Sequence, residues 1–576
     1  IRIMQPRDTQ VLPIASETTV YRSRTWERLK FEIEYGLKRG TTANSYLIQG
    51  EKIAIFDPPG ESFTDIFLQA LQQRISPSVI DYIILGHVNP NRAETLKALL
   101  KLNPDLTLVC SNPAAISLQK LLEEIAPNYR IIKGEETLDL GKGHQLEFIL
   151  TPTPRWSDQL CTYDPKTGIL FTDKLFGAHV CGEQIFDEGW QVYQEDRRYY
   201  FDCLIAPHAN QVASILEKLQ GKSAKIYATG HGPIVRYGFQ ELTNAYQEWI
   251  QQQQQQATKI ALLYASAYGN TATVANAIAR GVTKAGVAVE SINCEFTDPD
   301  SIKSVLQTTA GFIIGSPTLG GHAPTQIQTA LGVILSHADQ GQIAGVFGSY
   351  GWSGEAIGIL EQKIKDAGFR FGFDPIRVKF KPTDQILKYC EEAGTDFAQK
   401  LKRKQKRQTQ RQGVSDSQTA RTEQALGRVV GALCVVTAKQ GELLSGMLAS
   451  WVSQATFSPP GLTVAVAKDR AIESLMHVGS PFVLNILPEG ATGKQLQKQF
   501  MKNYSPGEDR FASIETIELE NGCPILKQAL AYVELRVENR MECGDHWLVY
   551  GIAKAGKVLD SETVTAVHHR NSGTHY

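Results

Sequence analysis

Several polar stretches of the sequence join side chains able to do chemistry. Ala265-Ser266-Ala267-Tyr268-Gly269-Asn270-Thr271 combines small residues with the hydroxyls of Ser266 and Thr271. Small residues let backbone N–H groups approach a ligand, and a helix beginning there adds partial positive charge, so this is phosphate-binding chemistry. The loop has no lysine and no GKT, which excludes a nucleoside-triphosphate loop. Ser316-Pro317-Thr318-Leu319-Gly320-Gly321 and Ser349-Tyr350-Gly351-Trp352-Ser353-Gly354 add hydroxyls, and Tyr350 and Trp352 suit stacking on a flat ring. Earlier, His87 lies in Gly86-His87-Val88-Asn89-Pro90-Asn91-Arg92, Asp173 follows an apolar run, and His231 lies in Thr229-Gly230-His231-Gly232-Pro233. Imidazole and carboxylate are metal-ligand types.

The elements that must position these groups are short apolar runs. Strands are expected at Ala43–Ile48, Lys52–Phe56, Asp81–Leu85, Phe148–Leu150, Ile169–Thr172 and Lys225–Ala228, with a helix from about Ala93. Asp57 ends one of them, where a structural and a functional carboxylate are equally expected. Buried strands at Lys259–Tyr264, Gly311–Gly315 and Ala344–Gly348 each lead into one of the later loops. Strand-end loops lying side by side form the crevice where α/β proteins bind ligands. From Gly427 the chain is strand-rich, at Val429–Thr437, Gly461–Val466, Phe482–Ile486, Ala531–Glu538 and Trp547–Ala553, which suggests a β-barrel.

Composition bounds the class. The chain has 576 residues, longer than one hydrophobic core usually supports. Its 42% hydrophobic and 21% charged residues exclude a mostly disordered chain. A formal charge of -1 supplies no field for nucleic acid or membrane surfaces. No apolar run approaches a spanning helix, and no signal peptide opens the sequence, so a cytoplasmic protein without membrane insertion or nucleic-acid binding is expected. Nine scattered cysteines without CxxC fit reduced thiols. The glutamine run 251–256 reads as a joint or as a polar helix end. The stretch 401–424 is basic and then polar; without interleaved aromatics it reads as a linker rather than a nucleic-acid patch. The resulting domains are 1–256, 257–400 and 425–576.

The first segment resembles the metallo-β-lactamase-like domain of flavodiiron proteins, in NSYLI at 44–48, the strand and loop at 82–92, TPxxxWxD at 151–158, LFTDKLFG at 170–177 and GHGPI at 230–234. In that family a His-x-Glu-x-Asp-His loop and a later His, Asp and His hold two irons that reduce oxygen or nitric oxide. The resemblance matches His87, Asp173 and His231. It puts Asn89 where Glu is expected, Asn91 where Asp is expected, and Arg92 and Arg155 where His ligands are expected. With one carboxylate and two guanidiniums the formal ligand charge moves from -3 to +1. Arginine offers donors only and does not deprotonate. A divalent ion about 4 Å from one guanidinium feels repulsion on the order of 8 kcal/mol at an effective dielectric of 20. No iron is therefore expected; either an arginine pairs with Asp173 or a small anion occupies the pocket. His144, His179 and His208 lie outside the pattern and read as surface or satisfied histidines.

The loop 265–271 looks like the FMN-phosphate loop of flavodoxins, with Tyr268 replacing the commoner Thr. The resemblance implies FMN contacts at Ser266, Tyr268, Gly269, Asn270 and Thr271, at Ser316, Pro317, Thr318 and Leu319, and at Ser349, Tyr350, Gly351, Trp352 and Gly354. SGMLASWVSQATFSPP at 445–460, Asn485-Ile486-Leu487 and Gly544-Asp545-His546-Trp547 resemble the NAD(P)H:flavin reductase family. This implies FMN or FAD contacts at Ser450, Ser453, Gln454 and Asn485, with a barrel that has lost its flavin as the alternative. His568-His569-Arg570 is undiagnostic.

The domain order is similar to that of three-domain flavodiiron proteins of oxygenic phototrophs, of the divergent type lacking standard ligands. The implied architecture is multidomain α/β and β: a metallo-β-lactamase-like αββα sandwich, a flavodoxin-like doubly wound parallel sheet and a flavin reductase-like split β-barrel. The implied function is an NAD(P)H-dependent flavin oxidoreductase that delivers electrons to another flavodiiron chain with an intact metal site, which reduces oxygen to water. Hetero-oligomers and head-to-tail homodimers are the implied assemblies. The alternatives are a regulatory or structural subunit with an anion pocket, and a self-sufficient oxygen reductase.

Overall fold

Alternating apolar residues in the first 250 positions build two sheets that cover each other. The computed structural model describes residues 7–27, 39–410, 417–570 and 573, with side chains left undescribed at 406–410 and 417–420. It divides into two units, Ile1–Gln255 and Gln256–Tyr576. In the first unit β1 (Asp8–Ala15), β2 (Thr18–Thr25), β3 (Thr41–Gln49), β4 (Ile53–Phe56), β5 (Tyr82–Ile84), β6 (Thr107–Ser111) and β7 (Asn128–Ile132) form one sheet in that order. Pairing is antiparallel as far as β4 and parallel beyond it. The second sheet runs β12-β11-β10-β9-β8, from β8 (Thr137–Asp139), β9 (Gln145–Leu150), β10 (Leu160–Asp164), β11 (Ile169–Asp173) and β12 (Ile226–Thr229).

Val20, Tyr46 and Phe56 of the first sheet share one core with Phe148, Leu160 and Phe171 of the second, so the sheets pack face to face. Helices α1 (Thr64–Gln72), α2 (Ala93–Leu102) and α3 (Asn112–Leu121) cover the outer face of the first sheet. Helices α4 (Gln194–Leu204), α5 (Ala209–Gln220) and α6 (Phe239–Gln254) cover the second. The result is an αββα sandwich. The loops following β5, β11 and β12 carry His87, Lys174 and His231, while Asp173 closes β11.

The second unit begins with a parallel sheet ordered β14-β13-β15-β16-β17, built from β13 (Lys259–Tyr264), β14 (Ala288–Asn293), β15 (Gly311–Pro317), β16 (Ile343–Tyr350) and β17 (Arg370–Phe371), with β18 (Ile376–Lys379) also pairing with β16. Strand order reverses between β13 and β15, which opens a crevice at their carboxyl ends. Helix α7 (Asn270–Lys284) follows β13; α8 (Pro299–Thr308), α9 (Thr325–His337) and α10 (Glu355–Asp366) pack on one face. Helix α11 (Asp384–Gln410) lies close along α7, and glycines allow it: a Cβ on Gly281 would collide with the Glu391 carbonyl, and one on Gly394 with the Ile278 carbonyl.

The stretch 401–424, read as a linker, is largely helical. Its residues 401–410 continue α11, and Ser417–Leu426 form α12; the residues 411–416 between them lie outside the described residues. Lys, Arg, Gln and Leu are good helix formers, and neither Gly nor Pro interrupts them before Gly413. Leu387, Cys390, Phe397 and Leu401 are buried at helical spacing and anchor that helix.

The remaining strands are β19 (Gly431–Ala432), β20 (Cys434–Gln440), β21 (Leu443–Ala449), β22 (Val452–Phe457), β23 (Pro460–Ala467), β24 (Pro481–Ile486), β25 (Thr516–Glu518), β26 (Pro524–Leu526), β27 (Ala531–Cys543), β28 (His546–Val558) and β29 (Val567–His568), with α13 (Ala491–Met501). Seven of them form an antiparallel sheet, β21-β20-β24-β27-β28-β23-β22, that does not close on itself. A buried charge cluster joins this sheet to α7 and α11. Lys284 pairs with Glu391, Arg280 with Glu473 at 3.5 Å, and Arg540 with Glu473 at 3.2 Å. Among the described residues no helix is long and apolar enough to cross a membrane.

Candidate functional site

In the first unit a short turn and the ends of β5, β11 and β12 bring most of the expected metal positions together, but not Arg155. Pro90–Arg92 forms a 3-10 turn whose N-cap, Asn89, accepts from the Asn91 amide at 3.2 Å. That turn aims the Arg92 guanidinium inward, where it is buried. Its Nη1 donates to Asp57 Oδ1 and to the His87 carbonyl, both at 2.8 Å, and Nη2 donates to Asp173 Oδ1 at 3.2 Å. Asp57 and Asp173 hold left-handed backbone, at φ 49° and 42°, a conformation that side chains bear at a cost and that clusters at functional sites. Glycine at 230 is required sterically, since a Cβ there would strike the Asp173 carboxylate.

His231 donates from Nδ1 to the Thr42 carbonyl at 2.7 Å, which leaves Nε2 as acceptor for Lys174 Nζ at 3.3 Å. His87 faces Asp158 through Nδ1 at 2.7 Å, and Asp158 also accepts from the Val88 amide at 2.8 Å. Burial and the charge of Asp173 push the Asp57 carboxyl up to about 6, against the pull of Arg92. Burial opposes ionisation of Asp173 too, but Arg92 and Lys174 outweigh it and hold its carboxyl below the ordinary value.

The charge balance differs from the sequence sum. Asp57 and Lys174 belong to the pocket, whereas the Arg155 guanidinium lies over Trp156, 5.6 Å from the ring centre, and its charge bears on His208. Asp57 and Asp173 therefore face Arg92 and Lys174, a neutral set rather than one of +1. This donor set does not fit a di-iron centre. A guanidinium bridges the two carboxylates, and an ammonium sits at the imidazole nitrogen that a metal would need. Among the described residues no group of three or more His, Cys, Asp or Glu is placed to hold a metal. The space beside Arg92, Asn89, Asn91 and Lys174 is about 20 Å³, room for one water.

Of the histidines set aside, His144 is buried between Asp164 at 2.9 Å and Glu17 at 3.1 Å, and His179 meets Thr41 at 2.8 Å. His208 is neither surface nor satisfied. It is buried, its ring nitrogens have no hydrogen-bond partner among the described residues, and burial holds its pKa down at about 3. Sequence reasoning missed Lys174 and Asp158, although both lie inside the quoted motifs, at DK and WxD. Their signal was a charged residue next to Asp173 and another three past Arg155.

The flavodoxin-like loops converge at the switch point. Gly269 takes φ 83° and caps α7, and the Ser266 hydroxyl accepts from the Ala272 amide at 3.2 Å, closing the loop 265–271. Thr271 is buried and bonds Ser349 Oγ at 2.7 Å, tying the first loop to the third. The Thr318 amide donates to the Ser349 carbonyl at 3.0 Å, tying the second to the third. The buried Thr318 hydroxyl has no partner among the described residues, a donor available to a ligand. Pro317 and Ser316 end β15, and the Ser316 hydroxyl is spent on the Pro317 carbonyl at 2.8 Å. Leu319, Gly351, Gly354 and Asn270 lie on these loops, and Tyr268 and Trp352 stand 87% and 95% exposed above them. Flat rings left so exposed suit stacking on a ligand.

The reductase-like positions do not form one cluster. Asn485 is fully buried; it donates to the Val435 carbonyl at 3.2 Å and accepts from the Leu526 amide at 2.8 Å, so its amide is used within the fold. Ser453 and Gln454 are exposed on β22. Ser450 is buried, with a hydroxyl that has no partner among the described residues. Gly544-Asp545 is the turn of the long β27–β28 hairpin, with Gly544 at φ 59°.

The sequence matches family models for the ODP family beta lactamase over residues 41–232, Flavodoxin over 262–394 and the Flavin reductase like domain over 426–574. It is 64% identical over 572 residues to diflavin flavoprotein A 6 of Nostoc sp., covering 99% of each chain. It is 42% identical over 570 residues to diflavin flavoprotein A 1 of Synechocystis sp., covering 99% of this chain and 98% of that one. The metal-soaked Flv1 flavodiiron core from Synechocystis sp. is 66% identical, with a TM-score of 0.68 over 69% of this chain and all of that one. With lactamase-like, flavodoxin and flavin reductase-like parts in one chain, and relatives along its whole length, this chain belongs to the three-domain flavodiiron proteins, the diflavin flavoproteins A, and is a flavin-dependent oxidoreductase.

Proposed function

We propose that this chain is the electron-transfer subunit of an NAD(P)H:oxygen oxidoreductase system. NAD(P)H reduces a flavin, FMN or FAD, in the reductase-like part. Electrons pass to FMN at the strand-end loops of the flavodoxin-like part, and then to a partner flavodiiron chain with an intact di-iron site, where oxygen becomes water. The observation that carries this reading is Arg92, which holds Asp173, a carboxylate expected to bind metal, and pairs it with Asp57, in a chain whose loop 265–271 leads into α7 as a phosphate loop would.

The domain division 1–256, 257–400 and 425–576 is part of the proposal, with α11 and α12 running through the join. A regulatory subunit with an anion pocket is the second reading. The space of about 20 Å³ beside an already paired Arg92 weighs against it.

The test is to purify the chain alone, measure flavin and iron per chain, and follow oxygen consumption with NADH and NADPH. The proposal expects bound flavin, no stoichiometric iron, flavin reduction, and slow oxygen uptake that yields peroxide. Adding a partner with the full ligand set should accelerate uptake and shift the product to water. Fast four-electron oxygen reduction by the chain alone would refute the relay, and absence of flavin would favour the structural reading.

A further inference from the structure

A seam of charge runs through the second unit where the 3-10 turn Ala471–Leu475 meets α7 and α11. The turn packs on β20 and β21 of the reductase-like sheet, and its other side bonds to the two helices. The Arg470 carbonyl accepts from Lys284 Nζ at 3.3 Å, and the Ala471 carbonyl accepts from Lys388 Nζ. Ser474 Oγ accepts from Lys284 at 3.2 Å and donates to Glu391. Glu473 meets Arg280 at 3.5 Å and Lys284 at 4.0 Å. The same seam borders a cleft of about 360 Å³ that both sides line, with Lys402 and Arg403 from α11 and Met447, Leu448 and Ile472 from the reductase-like side.

The buried charges of the seam do not balance. The helices bring Arg280, Lys284 and Lys388 against Glu391, while the turn and its sheet bring Glu473 and Arg540, 3.2 Å apart. All six side chains are at most 8% exposed. The buried His477 adds to the surplus of cations whenever it is protonated. Burial opposes ionisation of Glu473, but Arg280, Arg540 and Lys284 hold its carboxyl below the ordinary value; burial also pulls Lys388 down. Buried charges lose hydration that mutual attraction offsets only where they are well paired. A seam with a surplus of one sign therefore closes with little net stabilisation, and separation returns water to all six groups.

We propose that this seam is a latch: it parts as a unit, separating the reductase-like sheet from α7 and α11 and widening the cleft between them. Glu473 is the keeper, because it is the carboxylate that the turn presents to Arg280 and Lys284. Without that charge Arg540 faces a cationic surface. Without Arg540, Glu473 keeps its partners on α7. The latch rests on the fold and not on the relay of electrons.

Hydrogen exchange read by mass spectrometry on the full chain compares Glu473→Gln with Arg540→Met, each removing one buried charge from the same pair. Glu473→Gln should lower protection at 469–477 and 278–285 together by about ten-fold or more, and Arg540→Met by about two-fold or less. Strand β13 at 259–264 reports whether the flavodoxin-like part is folded and should be unchanged in both. In the unmodified chain, raising salt from about 0.05 to 0.5 M should lower protection at the same two segments several-fold, because salt screens the cationic face that opening exposes. If Glu473→Gln also unfolds β13, the salt series on the unmodified chain decides. Equal losses in the two variants would assign the pair a merely structural role and overturn the latch. So would protection at 469–477 that salt does not move, or a fall there that 278–285 does not share.

Discussion

Removing the Arg92 side chain should destabilise the first unit strongly. It is the cation common to Asp57 and Asp173, at 2.8 and 3.2 Å, and all three side chains are at most 7% exposed. Arg92→Met keeps much of the volume and removes the charge, leaving two buried carboxylates facing each other. Breaking a buried pair from one side costs about 3–5 kcal/mol. The loss should depend on pH. In the intact chain the Asp57 carboxyl already lies at about 6, above its ordinary value, and Arg92 is a cause that lowers it. Without Arg92 it rises further. Losing Arg92 raises the carboxyls of both Asp57 and Asp173 in the folded state, so the loss grows with pH between their intact and raised values, by up to about 1.4 kcal/mol per pH unit for each proton taken up. Unfolding of a chain with several parts is not one transition, so local stability is the quantity to follow. Hydrogen exchange read by mass spectrometry on segments 82–100 and 169–178, from pH 5.5 to 8.5, reports it. At pH 8 protection should fall by about two to three orders of magnitude. A fall of less than about ten-fold at pH 8, or a loss independent of pH, would refute the view that Arg92 is the cation on which these two carboxylates depend.

Thr271→Glu sets a negative charge beside the phosphate loop, where Thr271 bonds Ser349 at 2.7 Å; it should eject FMN, and full flavin content in the purified variant would contradict the placement. Restoring ligands by Asn89→Glu, Asn91→Asp, Arg92→His and Arg155→His should give little iron while Lys174 stays at His231 Nε2, and more once Lys174→Met is added; elemental analysis after iron-supplemented expression decides, with equal iron in both variants the failing result. In the second unit burial opposes ionisation of Glu391, but Lys284 and Lys388 hold its carboxyl down at about 2. Its stabilisation is therefore complete above its ordinary value of 4.5 and lost as pH falls toward 2, on the order of 3 kcal/mol; exchange protection in α7 that stays flat from pH 5 to 3 would contradict this.

Local pattern alone settled much of this protein. Each strand expected at the carboxyl edge of the flavodoxin-like sheet forms, because an apolar run bounded by Gly, Ser and Pro has few alternatives. The turn into α7 at 265–271 was legible for the same reason, since its glycine, its hydroxyls and the start of α7 are neighbours in sequence. Only the family resemblance, not local pattern, put Asn89, Asn91, Arg92 and Arg155 at positions where metal ligands are expected. What those residues do was decided by tertiary structure. Arg92 meets Asp57 from 35 positions away and Asp173 from 81, and only the stacking of two sheets brings the three together. That proximity turned a pocket reckoned at +1 into a neutral, nearly filled one. Asn485 carries the same chemistry in sequence as a ligand-binding amide, yet the packing of β24 against β20 consumes its hydrogen bonds inside the core. The basic run after Leu401 lacks any apolar period of its own, and it is helical because α11 is already anchored along α7. Side-chain type, turn chemistry and periodicity are written locally; partners, burial and charge balance belong to contacts between distant segments, and those exist only once the chain is folded.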